Sequence, residues 1–478
     1  LAAAYELEKA RAAGAAIEYT LFEASSRLGG SLAGEIVDGV VLERGPDSFL
    51  TEKPAAAELC RELGLGDDLI GSNDQARKTY ILVHNRLVPL PDGLMFLVPT
   101  KLIPTALTRL FSPLTKARMA LELLHPPRRS NDEDESVAAL VERHFGAEAV
   151  DRLADPLLSG IYGGDAAQLS ARTVLPRLVE MESEFGSLTL GMLAAHRKMR
   201  AKAKAAANGN GHAARTPPAP RPIFTTLRGG MQQLVDTLVA RLDSASLRLN
   251  AAGGALEKVD GAWKVTAGGA AEIYDAVIVA SPAWAAGVML AGVDAELGDE
   301  LSAIPYSSSI TVNLVYDEAQ LGPLPDGFGF LVPASEGRAM LACTFVHRKF
   351  LGRTPPGKAV LRAFLGGMKN EELLAETDAA LVATVRRELS EILGESVLGL
   401  AVEPGQTQVS RWRRAMAQYA VGHQERKQRI GARVATHSGL RLAGNAYDGI
   451  GIPDCIRLGR QAAKELVAAH ASQASLSS

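Results

Sequence analysis

Residues 20–31, Thr-Leu-Phe-Glu-Ala-Ser-Ser-Arg-Leu-Gly-Gly-Ser, end a short apolar run (Ile17, Tyr19, Leu21, Phe22) on an acid, Glu23, and then turn through Gly29 and Gly30. An acid at the end of the second strand of a βαβ unit is where a nucleotide ribose hydroxyl finds its acceptor. The glycine-rich phosphate loop belongs about 20 residues before that acid. That spacing places the loop and the first strand ahead of Leu1, where the pattern is already helical (Leu1, Ala4, Tyr5, Leu7, Glu8) with no start methionine. These residues predict an α/β, Rossmann-like half-site whose ligand is NAD or FAD.

The rest of the composition narrows the class. A chain of 478 residues supports two or three domains. Its 47% hydrophobic and 22% charged residues make an ordinary globular balance, and a net charge of −3 gives no basis for a nucleic-acid partner. Cys60, Cys343 and Cys455 are far apart and lack metal-type spacing, which suggests a reducing, cytoplasmic compartment without structural zinc. The histidines show no metal-ligand pairing, and no Gly-x-Ser-x-Gly elbow occurs; His144, His196, His347 and His423 read as surface or packing residues. Ala276–Val293, the most apolar stretch, is broken by Ser281 and Pro282, so the sequence offers no spanning helix.

Between Pro99 and Leu193 the pattern is helical. Leu102, Ile103, Leu107, Leu110 and Phe111 form an apolar stripe edged by Lys101, Arg109, Lys116 and Arg118. Such a stripe fits a membrane interface or a helix pair facing a core, and both readings stand. Residues 197–222 combine a basic run, alanines, Asn-Gly repeats and prolines, and read as a disordered insertion. Strands are expected at Trp263–Ala267, Ala276–Ala280, Ile310–Tyr316, Met340–Val346 and Val360–Leu365. A helix over Asp378–Leu393 is expected to start at a Thr377 or Asp378 cap and stop at Gly394.

A second stretch, Ala443-Gly-Asn-Ala-Tyr-Asp-Gly-Ile-Gly-Ile-Pro-Asp-Cys455, reads as strand, glycine turn and helix with proline in the first turn. Such a helix start faces anions, and in a flavoenzyme it would stabilise the reduced ring. Cys455 itself reads as a buried helix cysteine.

Taken together, the acid-ended strand, Arg27-x-Gly-Gly, Glu43-Arg-Gly-Pro-Asp-Ser48 and the Gly444–Cys455 stretch resemble the oxygen-dependent protoporphyrinogen oxidases and their coproporphyrinogen-oxidising relatives. That family is a branch of the amine-oxidase-like flavoproteins. Asp155–Asp165, Leu227-Arg-Gly-Gly230 and Arg411-Trp412 through Gln418-Tyr419 extend the resemblance over the chain. It implies an FAD-binding Rossmann-like domain from residues 1–78, 225–282 and 405–470. An inserted mixed-sheet substrate domain would comprise residues 79–98 and 283–404, and a helical, membrane-associating domain residues 99–196.

The resemblance implies that Glu23 holds the ribose, with Ala24, Arg27, Gly30 and Ser31 beside it. Gly45, Pro46, Asp47 and Ser48 would pass along the flavin, Trp412 would pack at it, and Ile450, Gly451 and Ile452 would meet the ring. Phe328, Gly329 and Leu331 would form one wall of a flat apolar substrate pocket and Phe364 the opposite wall. On that placement a bulky residue at Gly329 raises KM while the flavin stays bound. No catalytic base is implied. The implied partners are a porphyrinogen and O2, with peripheral membrane contact and a homodimer both open. Three positions depart from the family: the loop ahead of Leu1, Gly253 in place of a β-branched residue near adenine, and Met95 in place of an arginine that pairs a propionate. Lys101, Arg109 and Arg172 are the candidate substitutes, with none singled out. The alternatives are an amine oxidase, a carotenoid-type desaturase, or a non-catalytic fragment.

Overall fold

The computed structural model describes residues 1–95, 97–126, 133–208 and 221–477. Its centre is a seven-stranded mixed sheet in the order Gln406–Ala417, Tyr306–Asp317, Lys358–Gly366, Met340–Phe345, Gly329–Leu331, Thr79–Val83, Arg86–Pro89. Alternation gives the sheet two faces. Ile310, Val312, Leu314, Phe330, Cys343 and Ala363 bury against Leu381, Val385, Leu389 and Ile392 of helix Asp378–Leu393. That helix starts as expected, with Thr377 Oγ1 accepting from the Ala380 amide at 3.2 Å, and stops at Gly394, whose φ is +94°. The opposite face turns Thr311, Asn313 and Arg362 toward the nucleotide-binding half.

That half contains two short parallel pairs, Leu21–Phe22 with Leu247–Arg248 and Val277–Val279 with Leu440–Leu442. Among the described residues the pairs are separate sheets. Helix Ala2–Ala12 packs on the terminal helix Ile452–Ser477, with helix Ala55–Glu62 in the same core. Helices Ala283–Leu290 and Ala295–Ser302 share a second core with Trp263 and Leu440.

Several expected boundaries move. Strand Gln406–Ala417 is the edge of the large sheet, so the sheet extends past the boundary at 405, and residues 283–302 share a core with Trp263 and Leu440 of the nucleotide-binding half as well as with the strand ends Tyr306 and Ala417. Residues 197–208 are the end of helix Leu188–Asn208, not a disordered segment. Their Ala, Lys, Arg and Met residues are strong helix formers, so low complexity alone misjudged them. Residues 209–220 of that expected insertion lie outside the described residues. The Leu102–Phe111 stripe divides: Leu110 and Phe111 are buried while Ile103 and Leu107 are exposed, and the Leu102 side chain lies outside the described residues.

His144, expected at the surface or in packing, is buried between two acids. Its Nδ1 lies 3.1 Å from Glu122 and its Nε2 3.1 Å from Glu182. Glu182 also pairs with Arg143, which in turn pairs with Glu135. Glu122 accepts the Ser187 hydroxyl and the Leu188 amide, capping helix Leu188–Asn208. Burial pulls the imidazole down, but the two carboxylates win and hold it above its ordinary 6.5. Burial raises both acids, yet His144 holds them below 4.5, Glu182 at about 2. The histidine's contribution is therefore full below 6.5 and lost as pH rises through its raised value. The acids contribute above 4.5 and lose that contribution as pH falls. Replacing His144→Gln should remove about 1–3 kcal/mol in the window between those limits. Thermal melts across pH should show the parent's advantage over the variant shrinking on the alkaline side.

Candidate active site

The site is assembled around Glu43–Ser48. Four of its main-chain carbonyls are taken by side chains from other elements. Asn313 donates to Glu43 O at 2.9 Å, and Thr311 and Trp412 each donate to Arg44 O at 2.8 Å. Arg362 donates to Gly45 O, and Thr226 and Arg353 donate to Asp47 O. Gly45 must be glycine, because a Cβ there would lie 1.8 Å from Ser31 O. Thus Gly45 and Ser31, far apart in sequence, are in contact.

Two buried arginines, a partly buried lysine and two carboxylates hold the segment. Arg353 pairs with Glu43, whose Oε1 also accepts the Met231 amide at 2.6 Å. Lys349 lies 3.2 Å and Arg362 3.7 Å from Asp47. Burial would raise the Asp47 carboxyl, but Lys349 and Arg362 override it and hold it well below the carboxylate range. Burial pushes Lys349 down and Glu43 up against the pull of their partners.

The turn after Glu23 is rigid by its own bonds. Glu23 Oε1 accepts the amide and hydroxyl of Ser25, each at 2.8 Å. Arg27 donates to Leu28 O, Gly30 O and Leu32 O, and its guanidinium lies 5.9 Å from the Trp412 ring centre. Ala24, Gly30 and Ser31 stay exposed. The predicted residues of this turn therefore meet the predicted Gly45 and Trp412.

The C-terminal turn differs from expectation in one respect. Asp454 folds back onto its own helix start, accepting from the Gly451 amide at 3.3 Å and from Lys53 at 2.7 Å. The helix end is thus capped by its own carboxylate, balanced by Lys53. A Cβ on Gly449 (φ +107°) would collide with that carboxylate at 2.3 Å, so the turn needs glycine. Ile450 and Ile452 pack into different cores and anchor the turn on both sides.

On the substrate side, register corrects the expected geometry. Leu331 pairs with Ala342, which pairs with Phe364, so Leu331 and Phe364 share one row on one face. In the proposed pocket they would form a floor and not opposite walls. Gly329 has φ +138°, and a Cβ there would lie 1.9 Å from Cys343 O. A larger residue at 329 would strain the sheet itself, so the expected KM effect with intact cofactor binding does not follow. Phe328 is buried just before the strand, and Leu331 also touches the helical layer near Gly160. Arg172, one substitute cation, is paired with Glu425 at 2.9 Å, whereas Lys101 and Arg109 are exposed. At Gly253, the Met289 methyl lies 2.7 Å from where a Cβ would sit, which accounts for the missing side chain.

Lys53, Lys349, Arg353, Arg362 and Tyr419 had not been assigned roles from the sequence. Arg362 left a readable signal, a lone charge inside the apolar strand Val360–Leu365. Lys349 and Arg353 left none. The donor set fits a dinucleotide flavin. Ser281 Oγ is buried without a partner just beyond the carboxyl end of parallel strand Val277–Val279, the end where such sheets bind ligands. The Tyr447 hydroxyl, in the C-terminal turn, is also buried and unpartnered. Glu23 would hold the ribose and the Gly45–Ser48 segment would flank the ring. Among the described residues no group of three metal-ligating side chains occurs.

Comparison with known proteins identifies the family. A family described as flavin containing amine oxidoreductase matches residues 1–467. Coproporphyrinogen III oxidase of Bacillus subtilis is 32% identical over 468 residues, covering 97% of this chain and 95% of that protein. The protein of the same name from Propionibacterium freudenreichii is 33% identical, covering 94% and 86%. A crystal structure from an Exiguobacterium species, assigned to protoporphyrinogen oxidase, superposes with a TM-score of 0.83 at 32% identity, covering 98% of this chain and 96% of that one.

Removing one partner from a buried ion cluster costs about 3–5 kcal/mol, because the remaining charge is left uncompensated. Asp47→Asn should therefore destabilise the protein by about that amount, read as a lower urea midpoint. A midpoint equal to the parent's would show that Lys349 and Arg362 do not need Asp47.

Proposed function

Because the chain belongs to the flavin-containing amine oxidoreductases, with FAD as its cofactor, we propose that it oxidises coproporphyrinogen III to the porphyrin in heme biosynthesis, with O2 as acceptor. When bound, FAD would supply a hydride acceptor for a bridging carbon of the porphyrinogen and a route for the electrons to O2, with H2O2 as the product. A porphyrinogen loses six electrons in all, so three such rounds release three H2O2. Support for coproporphyrinogen over protoporphyrinogen IX comes from the names of the relatives at 32–33% identity.

One observation carries the reading. The Arg362 guanidinium donates to Gly45 O and lies 5.0 Å from the Phe364 ring centre. A single buried side chain thus fixes the flavin-flanking segment and the apolar row together. Leu331, Ala342 and Phe364 would seat a flat substrate, exclude water and hold one bridging carbon against the ring. The substrate is electron-rich, so orientation is the chain's main task and no base is assigned.

We also propose that the helical layer rests on a membrane surface. Ile103, Leu107, Leu114, Leu121 and Leu124 are each at least 65% exposed, with Lys101, Arg109, Lys116 and Arg118 on the same helical stretch. An apolar face with a basic rim suits the headgroup region of anionic lipid. No helix among the described residues is long and apolar enough to cross a membrane.

Assayed on both porphyrinogens with peroxide release recorded, the FAD-loaded protein should show a kcat/KM at least about tenfold higher on coproporphyrinogen III. The Phe364→Ala variant should lose about 10–100-fold in kcat/KM, the equivalent of losing one buried aromatic contact. Flavin-loaded protein that forms no porphyrin would overturn the reading. Cosedimentation with vesicles containing anionic lipid should weaken for Leu107→Asp combined with Leu114→Asp. Unchanged sedimentation would sink the membrane proposal.

A further inference from the structure

Strand Gln406–Ala417 leaves the sheet and its next two residues reach in different directions. The Gln418 side chain donates to Tyr162 O at 2.7 Å, at the end of helix Asp155–Tyr162 in the helical layer. Tyr419 O accepts the Ser170 amide of the same layer at 2.8 Å. The Tyr419 side chain points the other way, where its hydroxyl donates to Asn445 O at 2.9 Å and accepts the Gly449 amide at 2.8 Å. One hydroxyl therefore closes the loop that leads into Gly449–Ile452, holding its entry and its exit.

The surroundings hold that hydroxyl in one role. His423 stacks on the Tyr419 ring, centroids 4.3 Å apart and planes 17° from parallel. Burial, helped by the Lys427 and Arg426 charges, pushes His423 down to about 4, so the stacked ring is neutral. Burial drives the phenol strongly upward, and the nearby Tyr162, Cys455 and Asp454 push the same way, leaving it protonated to bond both groups. Tyr162 lies 6.4 Å away, ring to ring.

We propose that Tyr419 is a positioning residue that sets the distance of the Gly449–Ile452 turn from the flavin, tying it to the helical layer that faces the substrate row. The proposal rests on the reading of that turn as flavin-facing. In this role the side chain acts through the loop it bonds, Asn445 O at one end and the Gly449 amide at the other.

Tyr419→Phe removes the hydroxyl and keeps the stacked ring. The test measures FAD affinity by titrating apoprotein, and the flavin midpoint potential and visible spectrum of the loaded protein. Tyr419→Phe should weaken FAD about tenfold, as loss of two hydrogen bonds predicts. It should also move the potential negative and shift the flavin band. Tyr316→Phe, a buried tyrosine of the core beneath the sheet, controls for loss of a hydroxyl elsewhere and should move none of the three. Gly451→Val places a side chain in the turn itself and tests the underlying reading. If Gly451→Val changes the potential and Tyr419→Phe does not, the positioning role is wrong. If neither changes it, the turn does not face the flavin and both ideas fall.

Discussion

The arrangement depends on a buried cluster of unlike charges around Glu43–Ser48. Taking ions out of water costs several kcal/mol each, and only close pairing with further hydrogen bonds offsets it. Here Arg353 and Arg362 do both, pairing with Glu43 and Asp47 while donating to the carbonyls of Asp47 and Gly45. Because those carbonyls are bonded by side chains from several other elements, the segment's path is imposed from outside. A neighbouring strand would have fixed it less directly. The cations come from residues 349–362 and the acids from 43–47, so the cluster also couples the nucleotide-binding half to the sheet.

The sheet extends that coupling. Its apolar face closes a core on helix Asp378–Leu393, and its other face supplies Asn313, Thr311 and Arg362 to the segment and Leu331 and Phe364 to the floor beside it. Strand alternation alone produces this separation. The helical layer is joined at the far side through Gln418, Tyr419 and the pair of glycine turns in which the Met368 amide donates to Gly163 O. Lys369 clasps Asp155 across the same joint at 2.9 Å.

Much of the architecture could be read from residue patterns, for local reasons. Thr377, Gly394 and the alternation over Ile310–Tyr316 are signals written within a few residues, and each element formed where they pointed. Glu23, Arg27, Gly45 and Trp412 were legible through motifs, and of these Arg27 lies against Trp412, while Gly45 lies against Ser31. Lys349 and Arg353 could not be read, since burial of a basic residue depends on an acid some 300 positions away. The floor geometry was missed for a related reason: the side of a sheet shared by Leu331 and Phe364 is decided by pairing register, which no single strand encodes. The helix over 197–208 was missed because composition was read as complexity and its helix propensity was overlooked.

The alternation of the large sheet has a consequence for how this scaffold can diversify. Ala342 and Phe364 lie one residue from Cys343 and Ala363, yet the first pair faces the floor and the second pair faces the core. Replacement on the floor acts on the proposed site and, through Leu331, on the helical layer, but not on the core around helix Asp378–Leu393. Size changes at Ala342, the small residue between two larger ones, would reshape the floor most. Recognition and foldability are thus written on alternate letters of the same strands, and one can drift without the other.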